Sequence, residues 1–201
     1  MNDIIIPNNN EAEFIAMATW LGYSNLSFLY DPMVDIEQKK IDISATLGQN
    51  LTMECGYIVN EKNAHYALKK IKEKTLVVSY YDEPMRNLIE EKQVDIVFGF
   101  ESIRKKDSLH QRSSGLNHVI AKQMHDNGIA CGFSFSDILH AHNKDILLGR
   151  MMQNIRLCRK FKVAMAAASC AQHPFEMRSA ADMMNFFGML GMNNSDFKTI
   201  L

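Results

Sequence analysis

The chain has 201 residues and 47% hydrophobic content, enough for a single domain, residues 1–201, with a sizeable core and too apolar for general disorder. Its formal charge of −1 conceals a split: residues 1–100 carry 9 Lys and Arg against 15 Asp and Glu, whereas residues 101–201 carry 13 against 8, so the second half is suited to a polyanion. Apolar runs are too short to span a bilayer and the N-terminus lacks a basic signal segment. Together with four dispersed cysteines in no CxxC pair, this leads to the expectation of a reduced cytoplasmic protein.

In chain order, Ile4–Ile6 reads as a strand and residues 10–21 as a helix, with Phe14, Met17, Ala18 and Leu21 at helical spacing. Leu26–Tyr30 and Ile41–Leu47 read as the next strands, joined through Asp31-Pro32. Residues 63–74 form a helical pattern with Ala64, Ala67, Leu68 and Ile71 on one face. Leu76–Tyr80 is a strand and Pro84–Lys92 a helix, with proline near its start where the missing N–H is harmless. Val94–Phe98 is a strand, Leu116–Asn127 a helix closed by Gly128, and Ile129–Phe135 a strand. Asp145–Lys160 is the longest helix, Val163–Ala168 a strand, and Ala180–Leu190 a helix ending at Gly191.

About seven βα units follow from this alternation, with strands apolar enough to be covered on both faces. Neither a GxGxxG after the first strand nor a GxxxxGK[ST] supports a nucleotide-binding open sheet. The expected architecture is therefore an irregular β/α barrel, TIM-barrel-like, with functional groups in the loops at the C-terminal strand ends. Those loops are residues 101–114, 134–142 and 169–179.

Three constellations carry chemistry. Arg104, Lys105, Lys106, His110 and Arg112 precede Gly115; Ser113 or Ser114 is placed to cap the helix beginning near Leu116, whose first N–H groups beside Arg112 suit a phosphate. Asn117 and His118 form a polar pair beyond what capping requires, and Lys122 lies four residues on along the same face. In the long helix, Leu147, Met151, Asn154 or Ile155, and Cys158 form the inner stripe. Arg150, Arg156, Arg159, Lys160 and Lys162 outnumber the charges that a helix C-terminus accounts for. The third set, His140-Ala-His142 with His173, has the form of a metal pair, but the strands supply no matching series of carboxylates and histidines. The residues alone leave open a metal-dependent phosphoesterase on the barrel.

The ordered motifs SSGLNHVIAK, GFSFSDIL, RMMQNIRLCRKFKV and HPFEMRSAADM, with the DIIIP opening, resemble the ribonuclease P protein component 3 family, the archaeal counterpart of a 30-kilodalton subunit of the eukaryotic enzyme. That resemblance implies a barrel related to the polymerase-and-histidinol-phosphatase superfamily without its metal set. It also implies a subunit of the ribonucleoprotein that removes 5′ leaders from precursor tRNA. The RNA would carry the active site and its magnesium, and the polypeptide would bind no cofactor and supply no catalytic residue. Protein component 2 is the implied partner, in a heterotetramer, and precursor tRNA would be met only indirectly. Arg112, Ser114, Gly115, Asn117 and His118 match the family's loop-to-helix motif; Arg150, Arg156, Arg159 and Lys160 match its basic helix, and Arg178 its EMR element. The candidate RNA-binding set is therefore Arg104, Lys105, Lys106, Arg112, Ser114, Asn117, His118, Lys122, Arg150, Arg156, Arg159, Lys160 and Arg178. The acidic first half is expected to face solvent or a protein partner.

Overall fold

The computed structural model describes residues 2–44, 51–60, 63–70, 75–82, 86–103, 106–108 and 112–196. Within them, seven parallel strands pair in chain order: β1 (Asn2–Ile5), β2 (Asn25–Tyr30), β3 (Thr52–Val59), β4 (Val77–Tyr80), β5 (Ile96–Phe98), β6 (Ala130–Ser134) and β7 (Met165–Ala168). Helices α1 (Glu11–Leu21), α2 (Ile36–Ser44), α3 (Ala64–Lys70), α4 (Arg86–Glu90) and α5 (His118–Asn127) follow the first five strands. A short α6 (Phe135–His140) and the long α7 (Lys144–Phe161) follow β6, and α8 (Ala180–Met189) follows β7. None of these helices is long and apolar enough to cross a membrane.

Alternation along the strands sorts the core into layers, because successive side chains point to opposite faces. Ile4, Leu29, Val78, Ile96, Phe98, Ala130, Ala166 and Ala168 form one buried cluster, the filling of the barrel. Their neighbours Val77, Val97, Cys131, Phe133 and Met165 pack outward with Ile120, Met124, Met151, Ile155 and Phe187 of the helices. The small residues of β6 and β7 balance one large one: a Cβ on Gly132 would fall on the Phe98 ring, so only glycine lets that ring fill the interior. Around β1–β3 a second outer layer buries Phe14, Ile15 and Ala18 of α1 against Phe28, Tyr30 and Tyr57.

The barrel closes where β1 meets the segment after β7. Ile6 N–H donates to the Ala171 carbonyl and Cys170 N–H to that of Ile4, both at 2.9 Å. Asp3, fully buried, braces the seam: its Oδ1 accepts from Ser169 N at 2.7 Å and from Ile4 N at 2.9 Å. Burial pushes its carboxyl up to about 6, against the pull of those hydrogen bonds.

The third strand differs from the sequence expectation. Residues 41–44 belong to α2, which Asp35 caps by accepting from the N–H groups of Glu37 and Gln38, and residues 45–47 lie outside the described residues. Ile36 and Ile43 are two helical turns apart and buried, while Ile41 is exposed, a helical rather than an alternating pattern. Thr52–Val59 was hidden by Glu54 and Gly56; Gly56 admits the Leu76 carbonyl, with which Tyr57 N–H bonds at 2.9 Å. Residues 71–74 and Pro84 of two expected helices also lie outside the described residues.

Asp3→Ala is expected to destabilise the chain by about 1–3 kcal/mol, because it leaves the buried Ser169 N–H unpaired. Asp3→Asn keeps the Oδ1 acceptor without the buried charge and is expected to cost less, the more so above pH 6. Urea denaturation of both variants measures this.

Candidate nucleic-acid interface

The stripe along α7 holds an arginine among its apolar residues. Leu147, Met151, Asn154, Ile155 and Cys158 are buried as the periodicity requires, and so is Arg150. Its side chain is 6% exposed. Nε and Nη2 donate to Asp107 Oδ1 at 2.9 and 2.7 Å, and Nη1 donates to the carbonyls of Glu101 and Ile103 at 2.9 and 2.8 Å. The expectation that Arg150 belongs to a solvent-facing basic surface is therefore corrected: it is an internal clamp on the β5–α5 loop. Desolvation works to raise the Asp107 carboxyl, but the hydrogen bonds from Arg150 and Ser113 outweigh it and hold the group below the usual carboxylate range.

Ser114 is likewise turned inward. Its Oγ lies 2.7 Å from Asn154 Oδ1 and 3.2 Å from the Phe100 carbonyl, a position that ties the loop to α7 and removes the hydroxyl from the surface set. Nor does a serine cap α5. Asn117 does so, accepting from Val119 and Ile120 N–H at 2.9 and 3.0 Å, so two of the donors expected to meet a phosphate are already satisfied. The polar residue that the sequence reading set apart from capping is the cap itself.

Glu101 lies beneath this network. It is fully buried, accepts from Asn154 Nδ2 at 3.4 Å through Oε2, and has no partner for Oε1. Burial pushes its carboxyl up to about 8. Nothing in the local sequence marked Glu101 as buried; its position three residues past the end of β5, in a 3₁₀ turn Phe100–Ser102 folded under α7, decides that.

What remains outside is a strip along the outer wall of the barrel. Arg112 is half-exposed; its guanidinium lies against Gly149, where a Cβ would collide with it, and stands 3.8 Å from Asp107. Its carbonyl accepts from Gln153 Nε2 at 3.1 Å. Arg112, Ser108, Asn117, His118, Gln153 and Leu157 line a cleft of about 430 Å³ between the loop, the start of α5 and α7. His118 and Lys122 are exposed one turn apart on α5, and Arg156, Arg159 and Lys160 are exposed on α7. His125 Nδ1 lies 2.9 Å from the Lys162 carbonyl, fixing the C-terminal ends of the two helices side by side. Arg159 is turned to Asp196 at 2.9 Å, while Lys160 lies 5.6 Å from the Phe161 ring with its ammonium in solvent.

Other expected members lie elsewhere. Lys106 is exposed but lines a different cleft with Glu101, Asp137 and His140 at the mouth of the barrel. Arg178 bends back onto the carbonyls of Phe175 and Met177 at 2.9 and 2.7 Å and stacks 5.3 Å from the Phe135 ring, so it is a strut rather than part of the strip. Arg104 and Lys105 lie outside the described residues. In the histidine set, His140 Nε2 meets Glu176 Oε1 at 2.7 Å, and Glu176 also accepts from Ser136 Oγ and Gln172 N. Among the described residues no three His, Cys, Asp or Glu side chains converge as a metal site.

The Glu101 carboxyl sets a pH dependence. Between pH 4.5 and 8 the folded chain keeps a proton that the unfolded chain releases, so this group lowers stability progressively as pH rises through that window. Glu101→Gln is expected to gain stability relative to the parent as pH rises from 5 to 8, read by denaturant titration at both pH values. A difference that stays constant with pH would show Glu101 to be ionised in the fold.

Known proteins resemble the chain in sequence and in fold. Ribonuclease P protein component 3 of Methanosarcina acetivorans is 33% identical over 87 residues, 42% of this chain and 36% of that protein. That of Methanococcoides burtonii is 25% identical over 198 residues, 94% of this chain and 76% of that protein. The stretch matched in the Methanosarcina proteins thus spans little more than a third of their length. A chain in a cryo-EM structure of archaeal ribonuclease P with mature tRNA has the same fold, with a TM-score of 0.76 at 19% identity over 96% of this chain and 84% of that one. The family model described as RNase P subunit p30 matches residues 3–201, and the chain belongs to the RNase P subunit p30 family.

Proposed function

We propose that this polypeptide is a protein subunit of ribonuclease P, supporting the RNA that removes the 5′ leader from precursor tRNA in the cytoplasm. The observation that carries this reading is the family match over residues 3–201 together with the basic strip on α5 and α7. Arg112, Lys122, Arg156 and Lys160 present cations on a rigid wall, with His118 beside them, suited to backbone contacts with folded RNA, which is recognised largely by shape and phosphate position. In this reading magnesium belongs to the RNA, the polypeptide alone is non-catalytic, and protein component 2 joins it in a heterotetramer.

Reconstitution tests the reading: catalytic RNA, precursor tRNA and component 2, with and without this chain. The chain is expected to raise cleavage and to show none without RNA. RNA-free cleavage abolished by His140→Ala or His142→Ala would replace this reading with a metal-dependent phosphoesterase.

Two predictions follow from the geometry of the strip. Arg156→Ala with Lys160→Ala is expected to weaken RNA binding and lower the slope of log affinity against log salt by about two, roughly one per lost phosphate contact. Lys69→Ala, on the acidic half, is expected to leave that slope unchanged. Gly149→Ala is expected to expel the Arg112 guanidinium while leaving the chain folded, because the obstruction is the far end of a flexible side chain and alanine favours the helix by about 1 kcal/mol. Its RNA affinity should then match that of Arg112→Ala, with a melting temperature at or above the parent's.

A further inference from the structure

Helix α1 is apolar on both sides. Its inner face buries Phe14, Ile15 and Ala18, with half-buried Met17 at the edge, yet its outer face carries Ala12, Ala16 and Trp20, with Glu13 and Thr19 as the exposed polar residues. A surface helix with solvent on its outer side is ordinarily polar there, as α7 is at Arg156, Arg159 and Lys160; an outer face of this composition is one that something covers. Trp20 is 80% exposed and Phe175 is 75% exposed, and they stand on opposite banks of a groove of about 390 Å³ floored by Ala16, Met17 and Pro174.

The groove is preformed. It straddles the seam of the barrel, where Asn10 Nδ2 donates to the Gln172 carbonyl at 3.3 Å and Tyr23 hydroxyl donates to that of Arg178 at 2.7 Å. Phe175 is held by its backbone: its N–H meets His173 Nδ1 at 3.3 Å, and its carbonyl accepts from Arg178 Nη1 at 2.9 Å. Exposed aromatics whose backbone is already fixed lose little freedom when a partner covers them, the property of binding hot spots.

Charge selects the occupant. Residues 1–44 hold seven Asp and Glu against two Lys, and Glu13 stands on the rim of the groove. RNA phosphates are repelled by that field, and a second copy placing this face on its own counterpart would set acid against acid. A protein that itself binds RNA is cationic and is attracted. We propose that the Trp20–Phe175 groove docks a second protein subunit of the ribonucleoprotein, through an apolar side chain flanked by lysine or arginine. This rests on the function proposed above, and it puts the protein contact on α1 and the RNA contact on α5 and α7.

The test titrates the full chain with ribonuclease P protein component 2 of the same organism by calorimetry, at low and moderate salt. Trp20→Ser with Phe175→Ser is expected to weaken binding by about 100-fold or more, as for two aromatic anchors, with circular dichroism melting unchanged and RNA affinity intact. Glu13→Lys is expected to weaken it less and to flatten its salt dependence. Arg156→Ala should leave it unaltered. Undiminished binding by the double variant overturns the groove as the docking site, and the subunit reading survives if that variant still stimulates cleavage. Failure of the parent chain to bind component 2 overturns the docking proposal outright; if cleavage is then also unstimulated, the subunit reading falls with it. Loss of self-association in the double variant, with component 2 binding kept, would assign the groove to a second copy, and loss of RNA affinity would assign it to RNA.

Discussion

The buried guanidinium of Arg150 organises the side of the barrel where the β5–α5 loop meets α7. Arg150 enters the core from the second turn of α7 and is neutralised by Asp107, with the carbonyls of Glu101 and Ile103 accepting from its Nη1. A charge removed from water is tolerated only when its partners are complete, so the loop that supplies them cannot leave without exposing a large electrostatic penalty. Asp107 also accepts from Ser113 N–H and lies beside Arg112, so the buried charge positions an exposed one through a carboxylate between them. The strip that faces outward is thus held by chemistry that faces inward.

The same economy of placement separates two surfaces. Basic side chains gather on α5 and α7, the helices joined by the loop network and by His125 at the Lys162 carbonyl. The acidic residues surround α1 and α2, where Lys39 is engaged with Glu11 at 2.6 Å and does little to offset them. Because helices on a barrel each occupy their own sector of the wall, a charge gradient along the chain becomes a charge gradient around the molecule. A near-neutral protein thereby carries a basic side and an acidic side.

Buried acids mark the places where this architecture is under electrostatic load. Asp3 at the seam and Glu101 beneath α7 each retain an oxygen with no partner, and burial raises both carboxyls. Asp137, near the barrel mouth, is raised for the same first reason, desolvation. Asp3 and Glu101 both have an oxygen that bonds structure: Asp3 Oδ1 accepts from Ser169 N–H in the segment after β7, and Glu101 Oε2 meets Asn154. What each contributes to the fold is that hydrogen bond rather than its charge.

Sequence by itself determined the alternation of strands and helices, the glycine that ends α5, the apolar stripe of α7, the charge split between halves, and the ordered motifs that carry the family. These are local or compositional properties, set by periodicity, caps and the sign of side chains. It missed β3, where Glu54 and Gly56 break the apolar run, and it took the end of α2 for a strand. Tertiary structure alone decided which basic residues are available. Arg150 and Arg156 differ little in sequence context, yet Arg150 is buried against an aspartate 43 residues away and Arg156 is exposed. Ser114 turned inward because Asn154 lies opposite it, and Trp20 and Phe175 became neighbours because β1 closes against the end of β7. Helical period fixes the face a residue occupies, but the fate of a charge on that face depends on which distant segment packs there, and only the closed barrel specifies that.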